Sequence, residues 1–486
     1  MSKIVEVNEK DYIRYITRFR NQEDLDEFAL RVGLQVGDLH KNTTELYLPE
    51  RIVKNKKPGK TRGHSKEWQK EWKDMPHFVN EKNEAYAVIK IFFDEEYYDL
   101  EKIKEVFDQD IKEATTSLWM PKWDGIGRER YLRVIGGSSE TKYPIYIISK
   151  GRHDINKTSY FFTLCEIPHY IVVEEQEYDL YMSTLGQSPY TTILILDKKF
   201  QDEYETLCDY ENDEGETRKT GPGAARNFCW WHSMQNGFAA HHVVDDNSQG
   251  FHVLYDNCKL KVRTGAYIRA MEDFFDRHDN IAMCGPNYSK FALQNEAQPA
   301  FIKNTRIYSW QLIRNDLWNE GFRWRGRYNE DTILSLDFLV AGYATVQFNA
   351  FLQDKASTQT VKGGNTEEFY NEEGTLRKSQ MLAEAYPEYA KVVFKFSRFH
   401  HEVDYSSFAN NPLDKNGKPE VEDKINDYGV YLVKITPDED HQKNKEADTK
   451  SALEAKYPRE KAILLFDGTG WQNGFDVFDD FRKKGY

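Results

Sequence analysis

Residues 221–247 read GPGAARNFCWWHSMQNGFAAHHVVDDN, and the chain is best understood outward from them. Gly221 and Gly223 flank a proline and permit a tight turn or a close backbone approach. Arg226 and Asn227 follow, and the segment continues with helical composition towards Gly237. His242-Val243-Val244 is then a short apolar run of strand character. It ends on Asp245-Asp246-Asn247. An apolar strand that delivers acidic and amide oxygens at its carboxyl end suits a hard divalent cation held against a phosphate. Mg²⁺ and Mn²⁺ take oxygen ligands and share them with a substrate diphosphate.

Upstream, apolar runs alternate with helical patterns, which predicts an α/β domain with a mainly parallel sheet. Residues 143–148 (YPIYII) run into Ser149, Lys150, Gly151 and Arg152. Residues 169–173 (HYIVV) end on Glu174 and Glu175, and 192–196 (TILIL) end on Asp197. Ligands of open α/β sheets bind beyond the carboxyl ends of the strands, so one crevice can collect these polar residues. Downstream, Asn329-Glu330-Asp331-Thr332 opens a helical pattern at Ile333, Leu336 and Leu339. Acidic residues there suit a helix first turn, and a carboxylate beside a crevice also suits a general base. His400 and His401 follow a strand-like run at 392–396. Residues 355–366 (KASTQTVKGGNT) have the composition of a loop that could close over a site and exclude water.

The N-terminal part has a different grammar. RFRNQEDL leads through a helical pattern to TTELYLP, and IKIFFD leads through another to TTSLWMP. Two strand-helix-strand repeats are expected to form one small α+β domain over residues 1–130. Between them, residues 51–73 carry Arg51, Lys54, Lys56, Lys57, Lys60, Arg62, Lys66 and Lys70. This predicts a mobile basic loop, either a solvated linker or a phosphate-tracking arm for nucleic acid through Lys54, Lys56, Lys57, Lys60 and Arg62. It stands out because the 486-residue chain carries a net charge of −14, which excludes uniform coating of a polyanion. Aromatics at 14% provide for folded cores. Five scattered cysteines without a CxxC pair argue against zinc and disulfide frameworks. With no signal-like apolar segment and no run near the ~20 apolar residues of a membrane span, a cytoplasmic protein without a membrane partner is expected.

Four motifs in order, YIISKGR, GPGAARNFCW, VVDDN and RYNEDT, resemble the glycosyltransferase A superfamily. Within it they resemble the TET-associated glycosyltransferases found mainly in bacteriophages. The resemblance spans about residues 143–401. It implies a Rossmann-like glycosyltransferase A domain at 140–404, with residues 405–486 as a C-terminal appendage. It implies a donor site built from Ser149, Lys150, Arg152, Glu174, Gly223, Arg226, Asp245 and Asp246. It also implies a Mn²⁺ or Mg²⁺ ion held by Asp245, Asn247 and one of His400 and His401. Asp331 would be the base of an inverting transfer and Glu330 would orient it or the sugar. The donor would be a nucleotide diphosphate sugar, UDP-linked in the first instance, and the acceptor a hydroxymethylpyrimidine such as 5-hydroxymethylcytosine in phage DNA in the host cytoplasm. A protein or polysaccharide acceptor, or an inactive binding module of the same fold, are the alternatives. Asn247, where the superfamily places a second carboxylate, lowers the charge offered to a metal.

Overall fold

The two N-terminal repeats close as strand, helix, strand, and each helix begins on a side-chain cap. The computed structural model describes residues 12–55, 67–122 except 74, 77 and 79–84, 132–207 except 139, 221–355 except 256–257 and 293–297, 374–417 except 396–397, and 430–434. In the first unit these are strands β1 (Tyr12–Phe19), β2 (Thr43–Leu48), β3 (Ile52–Asn55), β4 (Ala87–Asp94) and β5 (Ser117–Trp119), with helices Gln22–Arg31 and Leu100–Phe107. Asn21 accepts from the Asp24 amide at 2.8 Å, and Asp99 from the Lys102 amide at 2.9 Å. Among the described residues the sheet order is β3-β2-β4-β1-β5. The first strands of the two repeats pair antiparallel at the centre, and each repeat's last strand joins the other repeat's first strand in parallel. Neither repeat completes a sheet alone. Both helices pack on one sheet face, where Phe28 and Phe107 stack with ring centroids 5.6 Å apart.

Only the two ends of the expected basic loop 51–73 fall within the described residues. Ile52–Asn55 is a strand, and Lys54 pairs with Glu45 at 2.9 Å. Lys56, Lys57, Lys60 and Arg62 lie outside the described residues. From Trp68 the chain is helical, and residues 65–81 cluster with the second unit, interrupting the expected 1–130 domain. The reason is apolar: Trp72 is buried against Phe274, Phe301, Phe348 and Phe351.

The second unit contains β6 (Leu132–Gly136), β7 (Ile145–Ile148), β8 (His169–Val173), β9 (Thr191–Ile195), β10 (Ala240–Asp245), β11 (Ser248–Tyr255), β12 (Cys258–Val262), β13 (Ile281–Tyr288), β14 (Phe301–Lys303), β15 (Trp310–Arg314), β16 (Ala344–Lys355), β17 (Ala390–Lys395), β18 (Arg398–Val403) and β19 (Val430–Lys434). Among the described residues ten of them form one sheet, ordered β12-β11-β16-β13-β15-β10-β7-β8-β9, with β14 beside β16. The half β9-β8-β7-β10 is parallel, as its four apolar runs predict. The other half is not: β15 runs antiparallel to both β10 and β13, and β11 to both β12 and β16. The fold is mixed α/β. Ile147 and Val244 enter the core on one face, Tyr146 and Val243 the core on the other. Burial on both faces is why these strands read as continuous apolar runs rather than alternating ones.

Residue 405 is not a boundary. Phe408 is buried with Ile333, Leu336 and Leu382, and Asn411 donates to the carbonyls of Leu339 and Tyr343, each at 2.9 Å. Further on, β19 pairs antiparallel with β6.

Candidate active site

The parallel half of the sheet brings its carboxyl ends to one edge, as the sequence pattern requires. Ser149, just past β7, donates to Asp246 Oδ2 at 2.7 Å and shares a 2.7 Å hydrogen bond with the Tyr181 hydroxyl. Arg152 is buried in an ion pair with the other Asp246 oxygen. Burial raises the Asp246 carboxyl, with Arg152 and Ser149 offsetting part of the rise. Thr158 fixes the turn by donating to the Asp245 carbonyl at 2.6 Å and accepting from the Ser248 amide at 2.9 Å. Lys150 and Glu174 pair with one another at 3.0 Å on the rim.

Asp245 is held by two cations. Arg226 Nη2 and Lys355 Nζ each lie 2.6 Å from one of its oxygens, and Lys355 also donates to Ser309. Burial alone would raise this carboxyl, but the Lys355 and Arg226 charges outweigh it and hold it well below the usual carboxylate range.

Arg226 spans the site. It projects from the helix Gly223–Gln235, is 2% exposed, donates from Nη1 to Gln311 Oε1 at 3.0 Å and lies over the Trp324 ring. Its Nε sits 3.5 Å from Glu330. The helix is locked to the strand of chain before Glu330: Asn227 Nδ2 donates to the Trp324 carbonyl at 3.0 Å, and the Trp324 amide donates back at 2.9 Å. Glu330 opens the helix Glu330–Val340 after Asn329, which adopts the left-handed conformation (φ 54°) and donates to the Lys378 carbonyl at 2.8 Å. Asp331 Oδ1 accepts from the Thr332 amide at 2.7 Å. Glu330 is pushed up to about 7, by burial first, with Arg226 offsetting only part and Asp331 adding to the rise. Asp331 is raised as well, again by burial first, against the pull of Arg226 and Lys378.

These groups line one cavity of about 530 Å³. Among the described residues its wall carries eight cationic side chains against five acidic ones, a reversal of the chain's net −14. Ser149, Lys150, Arg152, Glu174, Arg226, Asp245, Asp246, Asn247, Glu330, Asp331 and His401 all lie in that wall. Sequence reasoning missed Lys355, Lys378, Lys290 and Arg306. The signal for Lys355 was partial: it ends the apolar strand β16, but the edge that end meets depends on the strand's direction.

Gly223 is not in the wall. A Cβ there would meet the Tyr204 hydroxyl at 2.2 Å, and Tyr204 donates to the Gly326 carbonyl at 2.6 Å. The absence of a Cβ leaves room for that ring.

Of the expected metal set, Asp245, Asn247 and His401 line the same cavity. Of the two histidines, His401 lines the cavity, while His400 takes a hydrogen bond from Arg398 Nε at 3.1 Å. Burial and the nearby Lys378 and Arg306 charges lower His401 to about 4, so it is neutral at pH 7. Among the described residues no three His, Cys, Asp or Glu side chains cluster into an all-protein metal site. Among the described residues Asn247 Oδ1 is buried without a hydrogen-bond partner, a feature that favours a ligand. A single neutral oxygen beside a carboxylate already shared by two cations does not fit a hard dication.

Residues 143–364 match the family model described as TET-Associated Glycosyltransferase. No curated protein matches the chain. Among the described residues no helix is long and apolar enough to cross a membrane.

Proposed function

With residues 143–364 a TET-associated glycosyltransferase domain, we propose that the chain moves a sugar such as glucose or arabinose from a nucleotide diphosphate sugar, UDP-linked in the first instance, to 5-hydroxymethylcytosine or a related hydroxymethylpyrimidine in phage DNA. The parallel strands with a helix N-terminus and an acidic strand end at one edge support a glycosyltransferase A arrangement. The observation that carries the reading is the span Asp245–Arg226–Glu330. One buried guanidinium links an ionised carboxylate at the strand ends to an acidic pair of raised pKa, inside a cationic cavity.

Cationic walls suit the diphosphate of the donor, whose charge grows as the sugar departs. The acceptor oxygen attacks the anomeric carbon while the bond from that carbon to the diphosphate oxygen breaks. The electron pair leaves with the nucleoside diphosphate, and the acceptor proton passes to Asp331, giving inversion. A carboxylate with a raised pKa is a better base at neutral pH than an ordinary one. Asp331 is the assigned base because one oxygen is fixed by the Thr332 amide, while Glu330 faces Arg226 and orients the pair. A base inside duplex DNA would have to be flipped out to reach the cavity.

The test is direct. The protein is incubated with a panel of nucleotide sugars and DNA containing 5-hydroxymethylcytosine, and the digested nucleosides are weighed by mass spectrometry. The modified nucleoside should gain the mass of one sugar from one donor class. If no donor adds a sugar to hydroxymethylated DNA, the acceptor assignment fails.

A further inference from the structure

The charges around Asp245 are already balanced by this chain. Lys355 and Arg226 each hold one of its oxygens at 2.6 Å, and the Asp246 oxygens are taken by Arg152 and Ser149. Both cations on Asp245 are sheltered, with side chains 15% exposed for Lys355 and 3% for Arg226. Mg²⁺ and Mn²⁺ fill their shell with waters and substrate phosphates, but are anchored by one or two carboxylates free to ligate. To bind at Asp245 such an ion would have to displace an ammonium group from a carboxylate that faces both strand end and cavity. That ammonium already brings positive charge to the same place.

An ammonium has three hydrogens to donate. Among the described residues Asp245 and Ser309 take two of those of Lys355, which leaves one for an oxygen in the cavity whose wall Lys355 joins. Lysine is a compact charge on a flexible stem, suited to follow a phosphate oxygen as charge builds on it. The remaining cations of the wall, Arg306, Lys378 and Lys290 among them, converge on the same space.

We propose that Lys355 stands where a divalent ion is expected, and that the donor diphosphate is held by the cations of this chain without a metal. This rests on the donor assigned above.

The experiment measures binding of UDP and the other nucleoside diphosphates to the full-length protein by isothermal titration calorimetry, once in EDTA and once in Mn²⁺. Wild type should bind one of them in EDTA, and Mn²⁺ should change the affinity less than about twofold, since no site for it is built. Lys355→Met should weaken that binding about tenfold or more, the usual worth of a charge-assisted hydrogen bond, with Lys355→Arg recovering part of it. Melting curves of both variants separate this from misfolding, and the wild-type pair of titrations decides the point even if both variants fail to fold. Binding that appears only with Mn²⁺ or Mg²⁺ overturns the proposal while leaving the glycosyltransferase reading intact. So does a Lys355→Met protein with wild-type affinity in EDTA. If no nucleoside diphosphate binds under either condition, the donor assignment falls and the metal-free site falls with it.

Discussion

Asp245 and Glu330 lie on either side of the same guanidinium, yet their chemistry diverges. Asp245 has Lys355 and Arg226 both at 2.6 Å and is held ionised. Among the described residues Glu330 has only Arg226, at 3.5 Å, with Asp331 as its chain neighbour, and its carboxyl rises to about 7. Both are sheltered from water, so burial does not separate them. The number and closeness of cations does. Two contacts overcome desolvation; one longer contact beside a like charge does not. A single buried arginine therefore supports a permanently charged carboxylate on one side and a proton-accepting one on the other.

The most severe way to break this contrast is at the acid pair. Asp331→Asn should lower kcat by about 10²–10⁴-fold, while nucleoside diphosphate affinity stays within about twofold, because the base acts in the transition state and not in donor binding. Steady-state kinetics and calorimetry read the two quantities separately, and equal turnover in mutant and parent would remove Asp331 from the mechanism.

Removing the shared arginine attacks both sides together. Arg226→Met strands Glu330 and leaves Asp245 with one partner, so stability should fall by about 3–5 kcal/mol, the usual cost of breaking a buried pair. The midpoint of urea unfolding measures it, and a change under 1 kcal/mol would mean that Arg226 does not carry the span.

The two carboxylates should also respond oppositely to pH. An unfolded glutamate loses its proton near 4.5, whereas folded Glu330 keeps it to about 7. Between those values the folded state binds more protons, so stability falls as pH rises, by on the order of 1–3 kcal/mol. Asp245, depressed below its ordinary 3.8, adds stability that is present above that value and fades as pH drops towards its folded one. Unfolding series from pH 4 to 8 should show the first slope in wild type and a shallower one in Glu330→Gln, since Asp331 and Asp246 are raised as well. An unchanged slope in that variant would assign it to another group.

The mildest test touches one side only. Tyr204→Phe removes the bond to the Gly326 carbonyl that steadies the turn ahead of Glu330, at about 1 kcal/mol. Thermal melting should register that loss while nucleoside diphosphate affinity is unchanged, and a matching loss of affinity would show that the two sides are not separable.

Much of this site was legible because it follows local rules. Polar residues at the carboxyl ends of the apolar runs at 143–148, 169–173 and 240–244 converge, and the acidic start of the helix at Glu330 joins them. What escaped depends on chain far away. Lys355 reaches Asp245 across 110 positions, and only the parallel pairing of β13 and β16 brings it to that edge. The mixed half of the sheet was hidden because an apolar run is silent about its direction; β15 reads like any other buried strand. The glycines at 221 and 223 drew attention to phosphates, but the constraint at Gly223 is the Tyr204 ring. In the N-terminal unit the repeat was visible in its endings, TTELYLP and TTSLWMP, while the exchange of last strands between repeats was not, since no periodicity encodes pairing partners.

Trp72 has a practical consequence for anyone cutting this protein into parts. The segment 65–81 lies inside the first unit in sequence but is assigned to the second, so a catalytic fragment begun at residue 129 lacks an indole wedged among four phenylalanines. Such a fragment would open a hole in its main core and expose apolar surface around it, and loss of a buried Trp commonly costs about 3–5 kcal/mol. A fragment that keeps residues 65–81 through a short linker in place of the first unit should express and melt like the parent, whereas the simple truncation should aggregate.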